Sequence, residues 1–249
     1  MRPLPLLVLA FVAFASSAAP AATFAANPTA DAFVTTGPSG NLSGNNYGGA
    51  GSVSLSAPGL PQGELESVLR FDLSGALASF DAAFGAGQWS VQSVTLQLTA
   101  TSANNAIFNT PAAGQFAVSW LQNDSWTEGT GTPAAPGASG ITFTSLQSTY
   151  VGAGDQSLGT FSFNGATSGA FNYALGLSPG LLADVLSGSN PSLRLLAADS
   201  TVSGVFYSRS FGTAASRPLL TVVAVPEPDP LALSALGLAL LALSRRVRR

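Results

Sequence analysis

Apolar residues at every second position, in short runs divided by glycine-, asparagine- and proline-rich turns, constrain this chain more than any other feature. Val94, Leu96 and Leu98 alternate with Thr95, Gln97 and Thr99, and Phe116, Val118 and Trp120 alternate with Ala117, Ser119 and Leu121. Successive side chains of a strand point to opposite faces, so such a run buries one face and wets the other. Leu158, Phe161 and Phe163 continue the pattern with one irregular step, Tyr173, Leu175 and Leu177 repeat it, and Leu219 to Val223 predicts a fully apolar strand. Turn clusters such as Asn45-Asn46-Tyr47-Gly48-Gly49 and Pro133 to Gly140 lie between these runs. Helix is expected at two places only. Leu77 to Phe84 is short and alanine-rich; Pro179 to Leu186 has Ser178 to cap it, Pro179 at its first position and Gly188 to close it. No internal repeat of useful length is present. The pattern predicts an all-β fold, an antiparallel β-sandwich of jelly-roll type.

The two ends obey a different rule. Met1-Arg2 is a short positive start, Leu4 to Ala15 an apolar run, and Ser16 to Ala22 a stretch of small residues around Pro20. These are the three parts of a secretory signal peptide, expected over residues 1–21 with cleavage after Ala21; a cut after Ala18 also fits. At the other end Val225-Pro226-Glu227-Pro228 is a stiff breaker, Leu231 to Leu243 carries no charge, and the chain closes on Arg245-Arg246-Val247-Arg248-Arg249. Thirteen helical residues span about 20 Å against a hydrocarbon core of roughly 30 Å, a gap that snorkelling arginines and local thinning can close. The basic cluster predicts a cytoplasmic C-terminus with the preceding domain outside.

Composition narrows the chemistry of what lies between. The chain has no Cys, His or Lys. That excludes disulfides and thiol nucleophiles, the Ser-His-Asp triad, the usual zinc sites and Schiff-base chemistry. Residues 22 to 225 hold four arginines, Arg70, Arg194, Arg209 and Arg217, against ten acids, a net charge of −6. A nucleic-acid partner is therefore not expected, and a strongly anionic polysaccharide is disfavoured.

Pro226-Glu227-Pro228, the Leu/Ala/Gly helix and Arg245, Arg246, Arg248 and Arg249 together resemble the PEP-CTERM sorting segment of Gram-negative bacteria, over residues 225–249. The resemblance implies recognition by an exosortase, a temporary anchor in the inner membrane, and delivery to the cell surface or an exopolysaccharide-rich matrix. Within the middle, Ala30 to Val34, Asn45 to Gly48, Leu69 to Leu73, Val94 to Leu98, Asp124 to Thr130, Phe206 to Arg209 and Arg217 to Val222 follow one another in the order of the DNRLRE domain family. This resemblance spans about residues 29 to 223 and implies an exported β-sandwich over residues 22–224, related to carbohydrate-binding modules, one group of which binds alginate. It also implies that Asp124 to Thr130 is a strand-to-loop corner where Trp126 packs and the acids cap turns.

Candidate sites follow from residue chemistry. Asp124 and Glu128 flank Trp126 and form the nearest approach to a glycosidase carboxylate pair, but structure is the expected role of both and no catalytic residue is assigned. The expectation is a non-catalytic protein, with a glycan-binding module as the alternative and a carboxylate-based glycan-cleaving enzyme as a second. Sugar-stacking candidates are Trp126, Tyr207, Trp89 and Tyr150, whereas Trp120 is expected in the core. The polar stretch Thr127 to Gly140 is read either as a loop shaping a binding edge or as a flexible surface loop. No other cofactor is expected; calcium is the one plausible metal because only oxygen ligands are on offer, with Asp31 and Asn45 as candidates. Glu64 and Glu66 are expected on a solvated edge. Arg70, Asp72, Arg209 and Arg217 are expected in an ion network, with Arg217 paired to Asp72 or Asp199.

Overall fold

A computed structural model describes residues 20–102 and 111–227. Residues 1–19 of the expected signal segment, Pro228 and the apolar C-terminal run with its arginines lie outside the described residues. Among the described residues no helix is long and apolar enough to cross a membrane.

Eleven strands form two sheets: β1 (Ala22–Ala26), β2 (Pro28–Thr35), β3 (Ser52–Ser56), β4 (Leu65–Phe71), β5 (Trp89–Thr99), β6 (Ala113–Leu121), β7 (Gln156–Asn164), β8 (Ala170–Leu175), β9 (Ser192–Ala197), β10 (Ser203–Tyr207) and β11 (Leu219–Pro226). The smaller sheet has the order β1-β11-β5-β8. The larger has β10-β3-β4-β9-β6-β7, with β2 also paired to β4. Every pairing is antiparallel.

The alternating residues do what their period requires. Val94, Leu96 and Leu98 of β5, Leu220, Val222 and Ala224 of β11, and Tyr173 and Leu175 of β8 face Leu69 and Phe71 of β4, Phe116 and Val118 of β6, and Leu193 and Leu195 of β9 in one apolar cluster. The Phe116 ring meets Tyr173 edge-on at 4.9 Å, a contact between the two sheets. The irregular step in β7 is a bulge: Val118 pairs with Gly159 and Ser119 with Ser157, leaving Leu158 unpaired. Leu219 to Val223 forms a strand as expected, and its burial alternates. Leu220 and Val222 enter the core, while Leu219, Thr221 and Val223 stay partly exposed, because one face of the smaller sheet carries no full covering layer.

The helices match their sequence signals. Helix α1 (Ser74–Phe84) begins three residues earlier than its alanine-rich run suggests and buries Ala76 and Phe80. A short helical turn, α2 (Phe143–Ser145), carries a capping box between Thr142 and Ser145 and passes into one wide turn over Leu146–Tyr150. Helix α3 (Pro179–Ser187) has the expected ends: the Ser178 side chain accepts from the Leu181 N–H, and Gly188 takes φ 67°, a left-handed position that glycine fills without strain.

In the larger sheet β2, β3 and β4 are buried on both faces, whereas β7 keeps one face exposed. The outer face of this sheet carries Ala32, Val34 and Val68, packed under Trp126, Ile141 and Leu146 from the segment after β6. A third cluster holds Phe33, Tyr47, Leu65 and Val205, with Phe33 stacked on Tyr47 at 4.9 Å.

Two substitutions separate packing from capping. Phe116→Ala is expected to cost about 3–5 kcal/mol in urea unfolding, and Ser178→Ala about 1 kcal/mol.

Candidate functional site

The polar residues singled out by sequence gather on the outer side of the larger sheet and at its rim, and each is held by neighbours far away in the chain. Residues 128 to 141 are fastened by Asn46, which is fully buried. Its Nδ2 donates to the carbonyls of Glu128 and Ile141, both at 2.7 Å, and its Oδ1 accepts from the N–H groups of Gly131 and Gly48 at 3.0 and 3.2 Å. Asparagine suits this position because one amide supplies two donors and a two-fold acceptor. The backbones of Asn46 and Gly137 exchange two further hydrogen bonds. Gly131 permits the approach: a Cβ there would lie 1.9 Å from the Asn46 carbonyl oxygen. Of the two readings of this loop, the structure supports a fixed one.

Trp126 and Arg70 form the second element. The Arg70 guanidinium lies 4.8 Å from the Trp126 ring centroid and donates to the carbonyls of Asp124 and Trp126 at 2.8 and 3.0 Å. The indole N–H donates to the Ser192 hydroxyl at 2.8 Å. Burial raises the Asp124 carboxyl above its ordinary value, opposed by hydrogen bonds from Ser192. Trp126 is 1% exposed and Trp89 is 3% exposed, with its N–H on Asp81 at 2.8 Å. Both rings pack inside the protein and present no face to a sugar, which corrects the expectation for these two. Trp120 is in the core as expected, its N–H on Asp184.

Glu66 also departs from expectation. It is 1% exposed and bonded to Arg194 at 2.5 and 2.7 Å, with Gln147 donating to it at 3.0 Å. Its period places it on the covered outer face of β4, so burial demands a paired charge rather than water.

Asp31, Glu128 and Arg209 form a clasp. The Arg209 Nε donates to both Glu128 oxygens at 2.8 and 3.1 Å, and its Nη2 pairs with Oε2 of the same carboxylate. The Arg209 backbone N–H donates to Asp31 at 2.6 Å, and the Asp31 N–H donates to Glu128 at 3.3 Å. Asp31 is 2% exposed. Burial pushes its carboxyl up to about 7 against the pull of the Arg209 N–H, and the Glu128 charge adds to the rise. Arg209 therefore joins the network as expected, binding β2, the Glu128 loop and the turn after β10.

Other expected pairings do not form. Arg217 donates to the Phe211 carbonyl at 2.8 Å, whereas Asp72 accepts from Ser74 and Asp199 from Gln115, Thr201 and Val202. The Ser74 hydroxyl and N–H hold the Asp72 carboxyl below its ordinary value, and the N–H groups of Thr201, Val202 and Gln115 do the same for Asp199. Asn45 donates to the Tyr47 hydroxyl at 3.2 Å, so it and Asp31 have different partners. Among the described residues no group of three or more acidic side chains is placed to hold a metal ion. Asp124 and Glu128 are likewise turned to different partners, Ser192 and Arg209.

Two candidate aromatics remain partly exposed. Tyr150 packs beside the Trp126 cluster. Tyr207 stacks on Phe211 with ring centroids 3.8 Å apart and planes 21° apart. Sequence reasoning missed Phe211, although its spacing of four from Tyr207 across Ser208-Arg209-Ser210 is a turn signal. Pro226 and Glu227 of the expected sorting motif sit at the close of β11, with Pro226 opposite Trp89 and the Glu227 N–H on the Gln88 carbonyl at 2.9 Å.

No protein-family model matches this chain, and no curated protein shows detectable similarity to it.

The Asp31 shift has a definite sign. The unfolded chain gives up this proton near the ordinary aspartate value of about 3.9, while the folded chain keeps it to about 7. Between those values the folded state binds more protons, so stability falls as pH rises, and the loss is complete above about 7. The urea midpoint is expected to be higher at pH 5 than at pH 8, and Asp31→Asn to remove most of that difference.

Proposed function

We propose that this chain is an exported, non-catalytic protein of the cell surface or extracellular matrix, anchored briefly in the inner membrane of a Gram-negative bacterium, processed by an exosortase and associated with exopolysaccharide. Its fold is read more finely as a DNRLRE-type jelly roll. The observation that carries the reading is the placement of the termini. Ala22 lies opposite Ala224 in the pairing of β1 with β11, and β11 runs on to Pro226. Residues 22 and 226 thus lie at the same end of the smaller sheet, which supports tethering of the domain from that end. The engagement of Asp124 and Glu128 with Ser192 and Arg209 supports a non-catalytic role.

A second reading, a carbohydrate-binding module, is favoured by the Tyr207–Phe211 stack. Arg217 binds the Phe211 carbonyl and stands two residues before β11, so the stack lies at the Leu219 end of that strand. Pro226 is seven residues further on, roughly 24 Å along an extended strand. A tethered molecule would hold this aromatic pair away from the membrane.

Mass spectrometry of the mature C-terminus tests the first reading. A species ending near Pro226 is expected, and an intact Arg249 in the envelope would mean a permanent anchor. A glycan array tests the second: selective binding that drops about tenfold in Tyr207→Ala supports it, since one aromatic contact is worth about 1 kcal/mol or more.

A further inference from the structure

Between the loops that follow β2 and β3 lies a cleft of about 510 Å³, within the usual size range of small-ligand pockets. Thr36, Pro38, Pro58, Leu60, Pro61 and Glu64 line it. The two loops are locked to each other. The Thr36 N–H and the Thr35 hydroxyl donate to the Glu64 carbonyl at 3.1 and 2.8 Å, and the Glu64 N–H donates to the Thr36 hydroxyl at 3.0 Å. Gly63, at φ 79°, closes the contact, because a Cβ there would lie 2.3 Å from the Gly37 carbonyl oxygen. Three prolines with fixed φ further limit the walls, so the shape exists before any ligand arrives.

Glu64 stands apart from most acids of residues 22 to 225. Asp31, Glu66, Asp72, Asp81, Glu128, Asp155, Asp184 and Asp199 each accept a hydrogen bond from a donor of this chain, and Asp124, which has a buried oxygen without a partner, lies beneath Arg70 and beside Ser192 rather than on a cleft. The Glu64 carboxylate accepts none among the described residues, although it is half-buried. Arg194, the cation nearest enough to affect it, is bonded to Glu66. Partial burial and the Glu66 charge raise the Glu64 carboxyl above its ordinary value, the condition of a group that gains from a cationic partner. The chain is frugal with charge, yet among the described residues Glu64, which lines a preformed cleft, has a carboxylate without a donor.

We propose that this cleft seats an ammonium-bearing sugar, an amino-sugar unit of a glycan chain, with Glu64 as its counter-charge; the proposal rests on the carbohydrate-binding reading. The lining is mixed in the way a pyranose requires. Proline and leucine carbons meet C–H faces, and loop carbonyls and the carboxylate meet hydroxyl and ammonium donors. A lysine side chain would call for a narrow apolar channel, whereas this cleft is wide and opens to solvent.

The test is calorimetric titration of the purified full chain, in detergent micelles, with tetramers of β-1,4-linked glucosamine, N-acetylglucosamine and glucose, and with tetralysine. The glucosamine tetramer is expected to bind best, and Glu64→Gln to weaken it about tenfold, the loss of one charge-assisted contact. Because the Glu64 carboxylate accepts no hydrogen bond among the described residues, this variant is expected to keep the wild-type melting temperature. Equal affinity for the acetylated tetramer, unchanged binding in Glu64→Gln, or no binding at all overturns the proposal. Tetralysine binding as tightly as the glucosamine tetramer overturns the sugar assignment. If Tyr207→Ala abolishes tetramer binding while Glu64→Gln leaves it intact, the carbohydrate reading stands and the cleft loses its ligand.

Discussion

The β2, β3 and β4 part of the larger sheet is covered on both faces, and much of the remaining structure answers to that burden. Its inner face needs only the smaller sheet, which alternating Val, Leu and Phe supply. Its outer face has no second sheet, so a long irregular segment must do the work of one. Irregular backbone over an apolar surface brings unpaired N–H and C=O groups with it, and each left unpaired costs more than an ordinary hydrogen bond yields. Asn46 resolves much of this by bonding to both ends of the stretch from Glu128 to Ile141. Trp126, Ile141 and Leu146 can then lie on Val34 and Val68 without a regular element to carry them.

The same burden decides where the charges go. With 8% charged residues, the chain has few to spare, yet three of the four arginines of its middle lie on this outer side and its rim. Arg194 neutralises Glu66 beneath the cover, Arg70 holds Trp126 by its ring and backbone, and Arg209 draws Asp31 and Glu128 together. Buried ion pairs gain little net stability, since desolvation offsets most of the attraction, but a mismatched partner is costly. These contacts therefore fix which loop lies on which strand more than they add to the total free energy. The Asp31 carboxyl shows the cost directly: it is buried with the Arg209 backbone N–H as its donor and the Glu128 carboxylate nearby, so it holds its proton to about 7.

Period and caps made half of this architecture legible in the sequence. The alternation in β5 and β6 marked strands buried on one face, the irregular step at Leu158 was a bulge, and Ser178, Pro179 and Gly188 marked both ends of α3. The outer layer was not legible. Glu66 looks solvated when only Glu64 and Arg70 are near it in sequence, because its partner Arg194 is 128 residues away. Trp126 between two acids resembles an exposed platform until Arg70 and Ser192 are seen around it. In β2 nearly every residue is buried, so no alternation remains to read, and in β3 serines alternate with Val53 and Leu55 although all five residues are buried.

This division bears on function, since many of the polar residues singled out in the middle build the outer layer. Asn46, Arg70, Trp126, Glu128 and Arg209 all belong to short stretches that could be taken for a binding surface, and all five are occupied by one another or by nearby backbone. Their spacing follows from a shared means of covering a sheet, so it says little about any ligand. What remains free for recognition lies outside that set: the Tyr207–Phe211 stack, and the cleft beside Glu64. The stack stands on the turn that Arg209 pins to Asp31, and the Glu64 backbone is tied to the end of β2. Both surfaces are thus positioned by the strand that the outer layer holds in place. A ligand would meet loops already fixed by the fold, at little entropic cost of ordering.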